Sequence, residues 1–191
     1  MAGAGLILAS ASPRRLALLA QIGLVPDAVI ATAVDETPIR DELPRAHAIR
    51  MARAKAAACV RPDDYVLAAD TVVAVGRRIL GKTDDAPTAR RFLELLSGRR
   101  HCVITCVVLV APGGRSAERV VESDVTFARL EPARIDAYLA GGEWRGKAGG
   151  YAIQGFAAAF VRYVGGSYSG VVGLPLFENA QLLRGLGYRL P

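Results

Sequence analysis

The sequence predicts an α/β fold with a mixed, partly antiparallel sheet flanked by helices, and three observations carry that expectation. Short apolar runs of strand character alternate with helix signatures along the whole chain, which mixes the two element types in one unit. Two long strand-like stretches, residues 100–111 and 116–130, are joined only by Pro112-Gly113-Gly114. That connection is long enough for an antiparallel turn and far too short for the helical crossover of a doubly wound sheet. Across 191 residues no linker, repeat or shift in composition separates one part from another, so residues 1–191 are expected to form a single domain.

The elements follow in order. Leu6 to Ala9 is a short buried-strand run, and Ser12-Pro13 reads as an N-cap with proline at the first helical position, leading a helix through Arg14 to Ile22 that stops at Gly23. Val25 to Val34 reads as a second strand, ending in Asp35-Glu36 and Thr37-Pro38. Pro44 to Cys59 carries Ala48, Ile49, Met51, Ala52 and Ala56 at helical spacing. Tyr65 to Val75 is the most strand-like stretch, and Gly76-Arg77 turns it into a return strand at Arg78 to Leu80. Helices are expected at Ala86 to Leu96, Pro132 to Leu139 and Pro175 to Leu186. Between Gly141 and Gly173 lie ten of the twenty glycines, a segment of different character from the rest.

Composition narrows the function classes. With 52% hydrophobic and 22% charged residues the chain can bury a full core. The longest apolar run, around Val103 to Ala111, is half the roughly 18 residues that a membrane helix needs, so no membrane partner is expected. The start, MAGAGLILAS, lacks a basic segment of the signal-peptide kind, which points to a cytoplasmic protein. Cys59, Cys102 and Cys106 show no CxxC spacing and suit neither a disulfide framework nor a zinc site; the last two share a strand face and read as core. Aromatic residues make up 6%, too few for stacking on a single strand, so no nucleic-acid partner is expected. His47 and His101 stand alone and read as structural or exposed.

The net charge of +6 suits an anionic ligand. Of 24 cations only Lys55, Lys82 and Lys147 are lysine, and each lies in a segment that is chemically unusual for other reasons. A compact ammonium approaches a phosphate as a point charge in a way that a guanidinium does not, so at least two of the three are expected at a ligand. Gly76 to Thr83 matches the P-loop pattern GxxxxGK[ST] by letter. Its context does not fit, because Asp84-Asp85-Ala86-Pro87 follows where the P-loop helix would have to run.

Asp70 is the lone ionisable group in the run Val66 to Val75. A carboxylate there needs a cation, a metal or hydrogen bonds to offset desolvation, so it is either a structural carboxylate or a metal ligand or general base at a strand end. Ser10 to Arg15 joins a strand to a helix N-terminus, where free N–H groups and two arginines suit an anion but also make an ordinary helix start. Asp35-Glu36 is a solvated acidic pair or a metal-binding one, and Lys55 late in a helix also complements the dipole. Gly146 to Gly155 is permissive enough for close ligand approach, with Gln154 able to donate to and accept from a base edge; a mobile surface loop is the alternative.

Taken together these segments resemble the Maf family of nucleoside triphosphate pyrophosphatases. The resemblance rests on LILASASPRRLALL, VDET at 34–37, ARAKA at 52–56, LAADTVV at 67–73, LGKTDD at 80–85, LLSGRRHCVITCV at 95–107, GKAGGYAIQGFAAAFV and GSYSGVVGLPL, in family order along nearly the whole chain. Thr83 departs from the family's usual proline after the lysine. The resemblance implies a single elongated α/β unit with a nucleotide cleft between two lobes, similar to the inosine triphosphate pyrophosphatases. It implies hydrolysis of a nucleoside triphosphate to monophosphate and pyrophosphate with a divalent cation, Mg²⁺ or Mn²⁺, and a homodimer. Carried over by position, Asp70 is the catalytic base and, with Glu36, a metal ligand. Ser12, Arg14, Arg15, Lys55 and Lys82 are substrate-binding. Ser-Pro-Arg14, Thr71 directly after Asp70, and Ile153-Gln154-Gly155 resemble the branch acting on dTTP and UTP, which adds Thr71 and Gln154; in the branch acting on 7-methyl-GTP a carboxylate typically replaces the glutamine. Maf-like proteins are also linked to septum formation, so the alternative reading is a nucleotide-binding regulator of cell division.

Overall fold

The computed structural model describes residues 4–59 and 61–191. The first half runs β1 (Leu6–Ala9), α1 (Pro13–Gln21), β2 (Ala28–Val29), α2 (Pro44–Ala57), β3 (Tyr65–Val75), β4 (Arg78–Leu80), β5 (Lys82–Thr83) and α3 (Ala86–Leu96). The second half runs β6 (Arg100–Val110), β7 (Ser116–Phe127), α4 (Pro132–Gly141), β8 (Lys147–Ala148), β9 (Val161–Gly165), α5 (Tyr168–Val172) and α6 (Leu176–Gly185). One seven-stranded sheet has the order β2-β1-β3-β6-β7-β9, with β4 also paired to β3. β1 is parallel to β2 and β3, and the remaining pairs are antiparallel, so the sheet is mixed as expected. Among the described residues no helix is long and apolar enough to cross a membrane.

The expected strand at Val25 to Val34 shrinks to Ala28–Val29. Its alternation is real, but β1 offers a partner only up to Leu8, opposite Val29, before the chain turns away into α1. The last bond of this edge is Ile30 N–H to Leu8 O at 2.9 Å, and residues beyond it have no strand to pair with. The glycine-rich third holds β8, β9 and α5, none of which has a run long enough to announce itself in the sequence.

The two sheet faces are covered by different helices. On one, the small side chains Ala48, Ala52 and Ala56 let α2 lie close on Val66, Ala68, Val72, Ile104 and Cys106. On the other, Leu18 and Leu19 of α1 and Leu182 and Leu183 of α6 pack on Leu67, Val107 and Leu109. Around α3 and α4 a third cluster gathers Phe127, Tyr138, Trp144 and Phe160, the largest buried side chains. Truncating one of these aromatics to alanine costs about 3–5 kcal/mol by lost burial and a residual cavity.

The feature that creates the site is a gap in the edge of β3. β1 pairs with β3 only up to Ala68, and β4 pairs with it only from Val73. Among the described residues no strand covers Ala69 to Val72 on that edge. The P-loop-like letters fold otherwise: Gly76 turns with φ of 57°, and the rest forms β4 and β5. The helix begins only at Ala86, capped by Asp85 accepting from Thr88 N–H at 2.9 Å, with Pro87 in its first turn where no donor is needed.

Candidate active site

Asp70 reaches the cleft at this gap. Alternation along β3 places it on the α2 face with Ala68 and Val72, and Thr71 on the opposite face. Asp70 is 5% exposed, and its Oδ1 accepts from Lys55 Nζ, in the last turn of α2, at 2.6 Å. The same ammonium stands 2.7 Å from Glu36 Oε1, and Glu36 Oε2 accepts from Lys82 Nζ of β5 at 2.6 Å. The result is a row of alternating charge: Asp70, Lys55, Glu36, Lys82. Burial alone would raise the Glu36 carboxyl, but the hydrogen bonds and charges of Lys55 and Lys82 outweigh it and bring it to about 2.

On the other side of the sheet Arg15 is buried, and burial disfavours its charge while Asp70 and Glu36 favour it. Its Nε donates to Gly173 O at 2.9 Å, its Nη1 to Ser10 Oγ at 3.0 Å and its Nη2 to Thr71 Oγ1 at 3.5 Å. Thr105 spends its hydroxyl proton on Gly170 O at 2.8 Å, so Thr71 is the donor in the 3.0 Å bond between the two hydroxyls. Arg15 and Thr71 thus tie α1, β3, β6 and α5 together. These protein partners were not foreseen for two residues expected at the substrate. Ser12 holds the N-cap backbone conformation, but its hydroxyl makes no capping bond; Ser12 N–H donates to Ser10 Oγ at 3.2 Å.

These groups surround one cleft of about 290 Å³. Ser12, Arg14, Arg15, Glu36, Lys55, Asp70, Thr71, Lys82 and Gln154 all line it, so every site residue expected from the sequence comes together. Lys147 lines it as well, which the expected set omitted although the rarity of lysine had singled it out. Lys147 is carried on β8, whose pairing with β5 brings it opposite Thr83. That approach depends on Gly149, where φ is 68° and an added Cβ would lie 2.8 Å from Val73 Cγ1.

Among the described residues Arg14 and Lys147 have no carboxylate partner, and Lys147 Nζ donates only to Arg145 O at 2.9 Å. Burial lowers the pKa of both, and the Arg14 charge adds to the effect on Lys147. Tyr151, Ile153, Val171 and Val172 give the cleft an apolar wall. Tyr151 is fixed from behind by a 2.8 Å bond to His101 Nε2, and nothing in the sequence signalled that link. His47 and His101 are both buried, Cys106 is buried with its thiol pushed up to about 12, and Cys102 is half-buried. The arrangement can hold a polyanion against a carboxylate whose second oxygen, Asp70 Oδ2, makes no hydrogen bond among the described residues.

Residues 5–186 match the family described as Maf-like protein. A Rhodospirillum rubrum protein named dTTP/UTP pyrophosphatase is 64% identical over 186 residues, covering 96% of this chain and 89% of its own. A Caulobacter vibrioides protein of the same name is 58% identical over 190 residues, covering 98% of each. Among solved structures, the Staphylococcus aureus Ham1 protein aligns with a TM-score of 0.43 at 19% identity, over 64% of this chain and 71% of that one.

Proposed function

This chain belongs to the Maf family, and on that premise we propose that it hydrolyses dTTP and UTP between the α- and β-phosphates, releasing the nucleoside monophosphate and pyrophosphate. The observation that carries the reading is Asp70, buried in the gap of the β3 edge with one carboxylate oxygen fixed by Lys55 and the other open to the cleft. Water placed at Oδ2 would give up a proton to Asp70 as its oxygen attacks the α-phosphorus, and the electron pair of the broken bond leaves with pyrophosphate. Arg14, Lys55, Lys82 and Lys147 supply the positive charge that a triphosphate requires, and Ser12 adds a hydroxyl free of capping duty. Arg15 and Thr71 hold the floor of the cleft, and Gln154, exposed at its rim, offers a pyrimidine both a donor and an acceptor.

The donor set fits Mg²⁺ or Mn²⁺. Among the described residues no group of three acidic, His or Cys side chains converges on one point, so a dedicated protein cage is absent. Mg²⁺ is commonly held by one or two carboxylates with phosphate and water completing its shell, and Asp70 and Glu36, both bonded to Lys55, supply such a pair. A cation held there would stabilise the charge that develops on the leaving pyrophosphate.

The test is a product assay on the purified protein with Mg²⁺ or Mn²⁺, with separate incubations in dTTP, UTP, CTP, GTP and 7-methyl-GTP. Monophosphate and pyrophosphate from dTTP and UTP are expected. Orthophosphate and a nucleoside diphosphate would overturn the bond assignment, and binding without turnover would favour the regulator.

A further inference from the structure

Glu36 is brought to the cleft by residues 30–43, a segment without strand or helix. An irregular stretch of that length has large conformational freedom to lose, so something must hold it. Of the two lysine contacts of Glu36, the one to Lys82 is a poor candidate, because the side chains are 50% and 37% exposed and solvated pairs contribute little; the one to buried Lys55 grips the end of the side chain and not the backbone.

The fixed points lie outside the cleft. Glu42, with a side chain 8% exposed, accepts from Arg50 Nε and Nη2, both at 2.7 Å; the Arg50 side chain is 33% exposed, and the two-point geometry of the fork sets it apart from the single contact of Lys82. It also accepts from Ile39 N–H at 3.1 Å and pairs with His47 Nδ1 at 2.8 Å. An ionised carboxylate has no proton to give, so His47 Nδ1 is the donor there. Hydrogen bonds from Arg50 above all bring the Glu42 carboxyl to about 2. The guanidinium has one further bond: Arg50 Nη2 donates to Thr37 O at 3.1 Å. That carbonyl belongs to the residue directly after Glu36, and Arg50 shares α2 with Lys55.

We infer that Arg50, braced by the Glu42 fork, is a positioning residue that holds the peptide beside Glu36 and so fixes where the Glu36 carboxylate stands against Lys55 and Lys82. A planar guanidinium is needed because it grips a carboxylate with two donors while a third group remains within reach; an ammonium cannot do both. α2 then carries both Lys55, which touches Glu36, and the group that aims Glu36 at it. The consequence for ligand binding rests on the function proposed above, whereas the positioning itself does not.

The test is a double-mutant cycle on the full chain with Arg50→Met, Glu36→Gln and the pair, reading binding of α,β-methylene-dTTP with Mn²⁺ by calorimetry. Arg50→Met is expected to weaken binding roughly 10-fold in the wild-type background and less than about 2-fold beside Glu36→Gln, as for a group acting through a ligand it orients. Hydrogen exchange of the Glu36 and Thr37 amides should accelerate in Arg50→Met, and Arg50→Lys should restore only part of the loss. Equal losses in both backgrounds, or none in wild type, overturn the inference. Glu42→Gln, which weakens the brace and keeps the guanidinium, serves the same cycle if Arg50→Met does not fold. If the wild-type protein fails to bind the analogue, the functional reading falls; the inference is then judged by exchange at the Glu36 and Thr37 amides alone, and unchanged exchange refutes it.

Discussion

Removing Lys55 should destabilise the protein far more than neutralising its partner Asp70, although both changes should silence turnover. Lys55 and Asp70 are 6% and 5% exposed, and among the described residues Lys55 is the only cation within ion-pair distance of Asp70. Lys55→Met strands a buried carboxylate, a change that costs about 3–5 kcal/mol; the lower end, about 3 kcal/mol, applies because the cleft admits water. Asp70→Asn keeps an oxygen that accepts from Lys55, and Lys55 keeps Glu36 at 2.7 Å, so a loss below about 1 kcal/mol is expected. The double variant Lys55→Met/Asp70→Asn removes the stranded charge and should recover most of the stability lost by Lys55→Met alone. For a chain of this size 3 kcal/mol corresponds to a fall in Tm of about 6–12 °C. Urea unfolding at constant m-value and thermal melts of all four proteins read these terms directly. A Lys55→Met protein that melts with wild type would refute the idea that Lys55 balances the buried charge of Asp70. Loss of general-base action in Asp70→Asn should lower turnover about 10²- to 10⁴-fold, and normal turnover in that well-folded variant would remove Asp70 from the mechanism.

Lys147→Met should raise KM for dTTP roughly 10-fold with little change in Tm, since a charge-assisted hydrogen bond contributes about 1.5–3 kcal/mol and this ammonium has no carboxylate to strand; unchanged KM would exclude contact with phosphate. Gln154→Glu should weaken the preference for pyrimidines, and an unchanged dTTP:GTP ratio of kcat/KM would discredit the reading of the base by Gln154. His101 gives the pH dependence of stability. Burial pulls its pKa from 6.5 to about 4, so between those values the unfolded chain binds a proton that the folded one does not. Its contribution is complete above pH 6.5 and declines as the pH falls to 4, by about 3 kcal/mol in total. Urea midpoints of wild type and His101→Leu against pH should show the steeper acid loss in wild type, and parallel curves would rule His101 out.

Much of the fold was legible because long elements carry complete periodic patterns: β3 and α3 begin and end where the sequence places them, as does the short β4 that Gly76-Arg77 turns back onto β3. The errors fall where pairing depends on a distant partner. Residues 31–34 continue the strand-like alternation but stay unpaired, because β1 leaves the sheet first. β9 is recognisable only against β7, and α5 is five residues long. In the cleft, residues with unusual chemistry for their surroundings stood out: a lone Asp in an apolar run, and lysine where arginine is the rule. What the letters could not show is which cations the protein itself occupies. Arg15 looks like Arg14 in sequence, yet three of its donors are spent on Gly173, Ser10 and Thr71. Glu42 and Arg50 carried no signal, since the fork between them forms only once residues 30–43 fold back on α2.

Burial separates the three lysines of the cleft. Lys55 is enclosed with Asp70, and leaving that partner for a phosphate would strand a buried carboxylate, so on the proposed reading it keeps Asp70 aligned while adding its charge to the field that the triphosphate meets. Lys82 is half exposed and its pair with Glu36 is held weakly, so an incoming phosphate oxygen displaces Glu36 at little cost. Lys147 has no carboxylate to leave at all, and Arg14 adds to the positive potential around it, so on the proposed reading it takes the anion without breaking a pair. On the proposed reading, anion capture, exchange of Lys82 from Glu36 to phosphate, and alignment at Asp70 are therefore three steps carried by three lysines. Exchange leaves Glu36 bonded to Lys55, with the carbonyl of the next residue, Thr37, held by Arg50, so Glu36 is not lost from the cleft. This is why one lysine can change partners while the carboxylate it leaves keeps its place.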